Sequence, residues 1–305
     1  MRVKRDLLRW DLHLDFPINW DLKTRFFLIP DRPTPCMIKG RRWMRAIRIN
    51  DELVPIILDV KGDLGRERFE ITIPEEFGDR KEQVERTVLD LLGLQDIRNL
   101  YDFMDKDDIL RRIKEKLYGF GRAGLMSATV FEGIVKAIIQ QQISLKVAES
   151  ITANLVEMHG YRVRFLGECI YDFPDAERLT KTSVDELRRC GLSSRKSEYI
   201  KGFSEDVMSG FDPEMLRRME KEEILDILTS FKGIGRWTAE LVMVASIGLD
   251  VVPADDLGVR KAISHFYFHD HLQPPDVVRE FVERRFKGYI RDCIVYLLLA
   301  YRMGL

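Results

Sequence analysis

The sequence predicts an α+β fold, mostly α, with an N-terminal antiparallel β-sheet domain followed by a helical core. Three observations predict it. Stretches of alternating polar and apolar residues with β-branched content are confined to the first hundred or so residues. From about Lys106 onward apolar residues recur at helical spacing, in segments that open on Ser or Asp and close on Gly. No strand pattern alternates with those helices. The expected domains are residues 1–105 and 106–305.

In the first domain the strand candidates are RWDLHLDF (9–16), RRWMRAIRIN (41–50), LVPIILDVKG (53–62) and RERFEITIP (66–74). Pro30, Pro33, Pro35 and the Gly62/Gly65 region punctuate them. One helix, RKEQVERTVLDLLGL, ends at Gly93. In the second domain TVFEGIVKAIIQQQ places Phe131, Val135 and Ile138 on one face. SLKVAESITANLVEMHG runs from a Ser144 cap to a stop at Gly160, and SVDELRRCG is a capping box of Ser183 with Glu186 closed by Gly191. FDPEMLRR opens with Asp212 as cap and Pro213 at the first helical position. EKEEILDIL and WTAELVMVASIG flank a glycine turn, giving a helix-hairpin-helix over 221–247. DDLGVRKAISHFY, VVREFVERR and DCIVYLLLAYRM complete the helices.

The net charge is −1, so a nucleic-acid partner has to be held by local patches. The first fifty residues carry twelve Lys and Arg against five Asp, either a DNA-facing patch or the solubility charge of a small sheet domain. The four cysteines are far apart and form no C-x-x-C pair, which argues against a zinc knuckle or iron–sulfur loop and for a reducing compartment. The start, MRVKRDLLRWDLHL, breaks every apolar run with charge, so no signal peptide is expected. No apolar run approaches the roughly 18 residues of a membrane span.

The chemistry concentrates in FKGIGRWTAELVMVASIGLDVVPADDLGVRK, from Phe231 to Lys261. Gly233-Ile234-Gly235 lies between helices rather than after a strand. A third Rossmann glycine is replaced by Thr238, and no Walker G-K-[ST] follows. Two glycines between short helices make a tight hairpin whose N–H groups suit a phosphate, although a plain αα-corner reads the same way. Ile234 would plug back between the helices. Asp256 lies beyond the second helix and a Pro253 turn. An acid there weakens non-specific DNA binding, but it fits a site that stabilises a cation. Breaking an N-glycosidic bond develops oxocarbenium-like charge on the sugar. A carboxylate placed there lowers that barrier and can orient or deprotonate the attacking water. Asp255, at a helix start, reads as an N-cap.

GIGRWTAE…VPADDLGVRK resembles the helix-hairpin-helix plus Gly/Pro…Asp (HhH-GPD) signature of the DNA base-excision glycosylase superfamily. Within it the sequence is most similar to the alkylated-base branch, DNA-3-methyladenine glycosylase II. PINWD resembles that branch's N-terminal domain, FEGIVKAIIQQQIS its minor-groove helix and wedge loop, and CGLSSRKSEYI another DNA-facing turn. The resemblance implies a helical core in two subdomains with the active cleft between them. It implies Asp256 as the catalytic acid, because Val259 supplies the aliphatic residue three positions on, whereas Gly258 does not serve Asp255. Trp237 stands where the lyase branch carries its Schiff-base lysine. This implies a monofunctional enzyme without a catalytic cofactor, whose indole stacks on the flipped base. Leu241 and Leu299 stand at base-pocket positions where aromatics are expected, with Tyr296 or Tyr301 as possible substitutes. An aliphatic pocket leaves room for neutral lesions such as hypoxanthine, ethenoadenine or oxidised guanine.

Gln142 matches the wedge that fills the gap left by the flipped nucleotide, with Gln141 before it. Ser144, Gly233, Ile234, Gly235, Arg236 and Thr238 complete the implied DNA-binding set. The carbonyls of Thr229, Phe231 and Ile234 would hold a structural Na+ or K+. The implied partner is damaged double-stranded DNA, bound by a monomer acting in the cytoplasm on the nucleoid. The rival readings are an oxidised-purine (8-oxoguanine) glycosylase and a non-catalytic helix-hairpin-helix DNA-binding module. HFYFHDH (265–271) looks metal-like but reads as a helix end and loop.

Overall fold

The structure, a computed structural model, describes residues 6–62 and 66–305. Arg2, Lys4 and Arg5 of the basic N-terminal stretch, and Gly65 of the expected turn, lie outside them. Strands β1 (Leu7–Leu12), β2 (Met37–Lys39), β3 (Arg42–Ile49), β4 (Glu52–Lys61) and β5 (Arg68–Pro74) form one antiparallel sheet in the order β1-β5-β4-β3-β2. The short helix α1 (Trp20–Thr24) starts on an Asn19 cap. Helix α2 (Lys81–Leu92) ends at Gly93, which is left-handed at φ 60°. Trp20, Trp43, Ile56, Leu58, Ile71, Val84 and Val88 build the core between sheet and helices.

Two helical subdomains follow. One core gathers α5 (Val130–Gln140), α6 (Leu145–His159), α7 (Ala176–Lys181), α8 (Val184–Arg189), α9 (Ser194–Met208), α10 (Lys221–Ser230) and α11 (Arg236–Val242). The other gathers α3 (Arg98–Met104), α4 (Asp108–Lys116), α12 (Leu257–Tyr267), α13 (Pro275–Arg285) and α14 (Ile290–Met303). The caps read from sequence are present. Ser144 accepts from Val147 N, both bonds of the Ser183–Glu186 box form, and Gly191 is left-handed at φ 105°.

Three expectations need correction. Residues beyond 105 are not all helical. Strands β6 (Tyr161–Phe165) and β7 (Glu168–Asp172) form a hairpin through Leu166 and Gly167, at φ 49° and 87°, a two-residue turn with both centres left-handed. Phe165 and Ile170 pack on Met37, Met44, Ala46 and Ile57, on the outer face of the large sheet. The hairpin is too short to announce itself, and its burial comes from a sheet over a hundred residues upstream. The Pro213–Arg218 segment is a 3-10 turn rather than an α-helix, although Asp212 caps it. The helix after the glycine turn passes into a π-turn over Met243–Ile247. There Ser246 lies so close to α5 that a Cβ on Gly133 would fall 2.0 Å from its Oγ.

The basic N-terminal residues are largely spent inside the molecule. Arg32 pairs with Glu157, Lys39 with Glu168, Arg42 with Asp59 and Arg48 with Asp175. Arg45, fully buried on β3, reaches Glu132 of α5 at 2.6 Å and Asp172 of β7 at 3.3 Å, and Lys136 joins Glu132 at 3.3 Å. Burial pushes the Asp172 carboxyl up to about 6. This network fixes α5, and the loop at its end, to the N-terminal domain.

Candidate active site and nucleic-acid interface

An open cleft of about 1260 Å³ runs between the two helical subdomains. The end of α5, the starts of α6 and α9, the α10–α11 hairpin and the Asp255–Leu257 loop line it. Tight turns aim that loop: Ala254 N donates to Val252 O and Asp256 N to Pro253 O. Asp256, not Asp255, is the N-cap of α12. Its Oδ1 accepts from Val259 N at 2.9 Å, and its Oδ2 accepts from Trp237 Nε1 at 3.2 Å. The cap expected of Asp255 therefore falls to Asp256. Asp255 is exposed, with Arg279 3.9 Å away. Two bonds from different elements fix the Asp256 carboxylate, and Gly258 leaves it room, since a Cβ there would lie 3.0 Å from Oδ1.

The hairpin forms as the sequence predicts. Ile234 is buried between the helices, and its N–H donates to Phe231 O at 3.1 Å. Gly233 is left-handed at φ 87°, and a Cβ on it would fall 2.1 Å from the Tyr199 ring. Gly235 is exposed and caps α11 without any side-chain bond, so the first turn of that helix opens to the cleft.

Gln142 is exposed at the cleft with φ 57°, a conformation that a non-glycine residue adopts only where its surroundings impose it. Gln141 has a different part. Its Nε2 donates to Gly233 O at 2.8 Å and to Thr238 Oγ1 at 3.0 Å, tying the loop after α5 to the hairpin. Lys196 donates to Ile139 O at 2.7 Å and Gln141 O at 2.6 Å, holding the carbonyls at the end of α5; burial lowers its pKa. Ser193, Arg195, Lys196 and Tyr199 all line the cleft. The sequence marked their segment, CGLSSRKSEYI, as resembling a DNA-facing turn without naming any of the four, and the basic S-x-x-K start of α9 is the local signal for them.

Not every expected residue gathers here. Trp237, Thr238, Thr229, Phe231 and Ser144 border the cleft. Arg236 points into a separate hollow and pairs with Glu240 at 2.8 Å. Leu241, four residues beyond Trp237, is packed against the helical core rather than facing the cleft. Leu299 lines a second, inner cavity of about 360 Å³ bounded by Phe26, Phe27, Leu145 and Val295. The two spaces adjoin. Gln140 of the cleft lies 3.0 Å from Met126 Sδ of the inner wall, and the successive residues Ser144 and Leu145 line one space each. Tyr296 is fully buried with its hydroxyl on Gly121 O, and Tyr301 packs on His265, so neither borders the cavity. In HFYFHDH, His265 binds Asp270 at 2.6 Å, and among the described residues no three His, Cys, Asp or Glu side chains gather into a metal site.

The sequence model of the HhH-GPD superfamily base excision DNA repair protein matches residues 135–287, half of the chain. The chain belongs to the HhH-GPD superfamily. Residues 9–96 match an AfAlkA-like, TATA-box binding protein-like domain. The chain is similar to a 3-methyladenine DNA-glycosylase from Archaeoglobus fulgidus of known structure. The two share 43% identity and a TM-score of 0.90 over 97% of this chain and 99% of that one. It is 31% identical to DNA-3-methyladenine glycosylase 1 of Schizosaccharomyces pombe over 45% of this chain and 58% of the relative. It is 27% identical to DNA-3-methyladenine glycosylase of Bacillus subtilis over 60% and 61%. The matches thus span about three fifths of these two relatives. The HhH-GPD match begins within α5 and ends just past α13, so it contains the loop after α5, the hairpin and Asp256 together.

Proposed function

We propose that the protein is a monofunctional DNA glycosylase of base excision repair, which flips a damaged base out of duplex DNA and hydrolyses its N-glycosidic bond. One observation carries the reading. Asp256 is held by Trp237 Nε1 and Val259 N in a cleft that the glycine hairpin and Gln142 also line. The hairpin N–H groups would take a backbone phosphate, and Gln142 would fill the vacated stack. A base flipped past Trp237 would bring its sugar to Asp256, where the carboxylate stabilises the oxocarbenium-like charge and orients the water. The base itself would pass into the inner cavity, which Leu299 and Phe26 bound. The relatives named 3-methyladenine glycosylases support a damaged purine as the base. Phe231, Thr229 and Ile234 border one side of the cleft, so a monovalent cation between their carbonyls and a DNA phosphate is compatible with the hairpin. It would serve binding rather than the chemical step.

Asp256→Asn tests the reading. Asn caps a helix as well as Asp, so the fold is expected to survive. Base release from lesion-bearing duplexes is expected to fall by about a hundredfold or more while duplex binding is kept. Unchanged release would sink the assignment. A wild-type protein that binds duplex DNA without releasing any base would favour the non-catalytic module. Borohydride trapping addresses the lyase alternative: with Trp237 at that position, no covalent adduct is expected.

A further inference from the structure

The inner cavity has polar lining groups beside its apolar walls, and most are already committed. Lys23 Nζ donates to Phe120 O at 2.9 Å and Arg122 O at 3.0 Å. Lys136 Nζ donates to Thr34 O at 2.8 Å and Met126 O at 2.6 Å, and pairs with Glu132. Glu149, from the second turn of α6, is the acid among the lining residues. Its carboxyl is largely withdrawn from water, and the Lys136 ammonium near it offsets that burial only in part. Burial accordingly raises its pKa above the usual carboxylate value.

We propose that Glu149 is a specificity-determining residue that selects a positively charged, N-alkylated base in the inner cavity. The inference rests on the glycosylase reading above. A cationic base entering walls of Leu145, Val295 and Leu299 loses its hydration, and aliphatic carbon returns nothing for that loss. Phe26, Phe27 and Phe120 are among the lining residues, but the aromatic expected at Leu299 is missing. A carboxylate at the same wall restores the balance, because opposite charges attract strongly once water is excluded, and it acts against the Lys23 and Lys136 ammonium groups that share the lining. The exchange is mutual, since the cation relieves the desolvation that Glu149 bears in the empty cavity. A neutral lesion of the same size gains no such attraction.

The experiment measures single-turnover base release by the full chain from two duplexes, one with 7-methylguanine, which is cationic, and one with hypoxanthine, which is neutral. Wild type, Glu149→Gln and Glu149→Asp are compared. The wild-type protein is expected to favour the cationic base. Glu149→Gln is expected to lower the ratio of cationic to neutral release by roughly tenfold, and Glu149→Asp to recover part of it. The ratio within one variant is independent of the fraction folded, so partial unfolding does not blur it. An unchanged ratio in Glu149→Gln, or a wild-type preference for hypoxanthine, overturns the role of Glu149 and leaves the glycosylase reading standing. No release of either base by the wild type overturns that reading and this inference together.

Discussion

Gly233 and Asp256 each have one physical requirement that no other residue type meets as well. Gly233 is left-handed and faces the Tyr199 ring, so both its φ and its missing Cβ are needed. Gly233→Ala is expected to cost about 2–4 kcal/mol, the sum of backbone strain and a forced shift of Tyr199. Denaturant unfolding measures it, and a loss below about 0.5 kcal/mol would contradict the close approach. Gly235, by contrast, has open space around its Cβ position, so what its small size protects is access to the cleft rather than the fold. Asp256 caps a helix and accepts the Trp237 N–H with its other oxygen. One residue therefore starts α12 and presents its carboxylate to the cleft.

At the level of elements, the loop after α5 and the α10–α11 hairpin act as one unit. Gln141 joins them through Gly233 O and Thr238 Oγ1, and Lys196 brings α9 into the same cluster. The left-handed Gln142 sits directly after these bonds, which hold its unusual backbone in place. Lys196→Met leaves two carbonyls without their charged donor and frees the loop. Base release from duplex DNA is expected to fall about tenfold, with partial recovery in Lys196→Arg, which keeps the charge. A single-turnover assay on a lesion duplex checks this, and an unchanged rate in the Met variant would show that the loop holds without the clamp. α11 itself is short and continues as a π-turn, a feature that the helical pattern of WTAELVMVASIG did not announce. The register change follows from close packing of Ser246 against Gly133 on α5, a contact between residues over a hundred positions apart.

For the whole molecule, the domains are stitched by buried cations. Lys23 on α1 reaches the carbonyls of Phe120 and Arg122, between α4 and α5, and burial brings its pKa down to about 7. The unfolded chain holds this proton up to about pH 10.5, whereas the folded chain releases it near 7. Between these values the unfolded state binds more protons, so rising pH favours the fold. Relative to Lys23→Met, the wild type is expected to gain stability by about 1.4 kcal/mol per pH unit between roughly pH 7 and 10. Parallel unfolding curves of both proteins across that range test the sign, and a flat difference would place the Lys23 proton elsewhere.

Much of this protein was legible from local signals. Most helix caps and the glycine hairpin are specified by residues within a few positions of one another, where backbone preference and short-range hydrogen bonding decide the outcome, whereas Trp237 and Asp256 were picked out by the family motif that spans them. The sequence by itself therefore determined the order of sheet domain and helices, the family and the catalytic acid proposed here. Only the tertiary structure decided which neighbours those residues acquired. It brought Arg279 of α13 onto Glu240, set Leu241 against the helical core, and folded the 161–172 hairpin onto a distant sheet. It also set Glu149, Phe26 and Leu299, from α6, the N-terminal domain and α14, around a single cavity. Helical spacing gives a residue a face, but what covers that face depends on how separate elements pack together, and that is settled by burial across the whole chain.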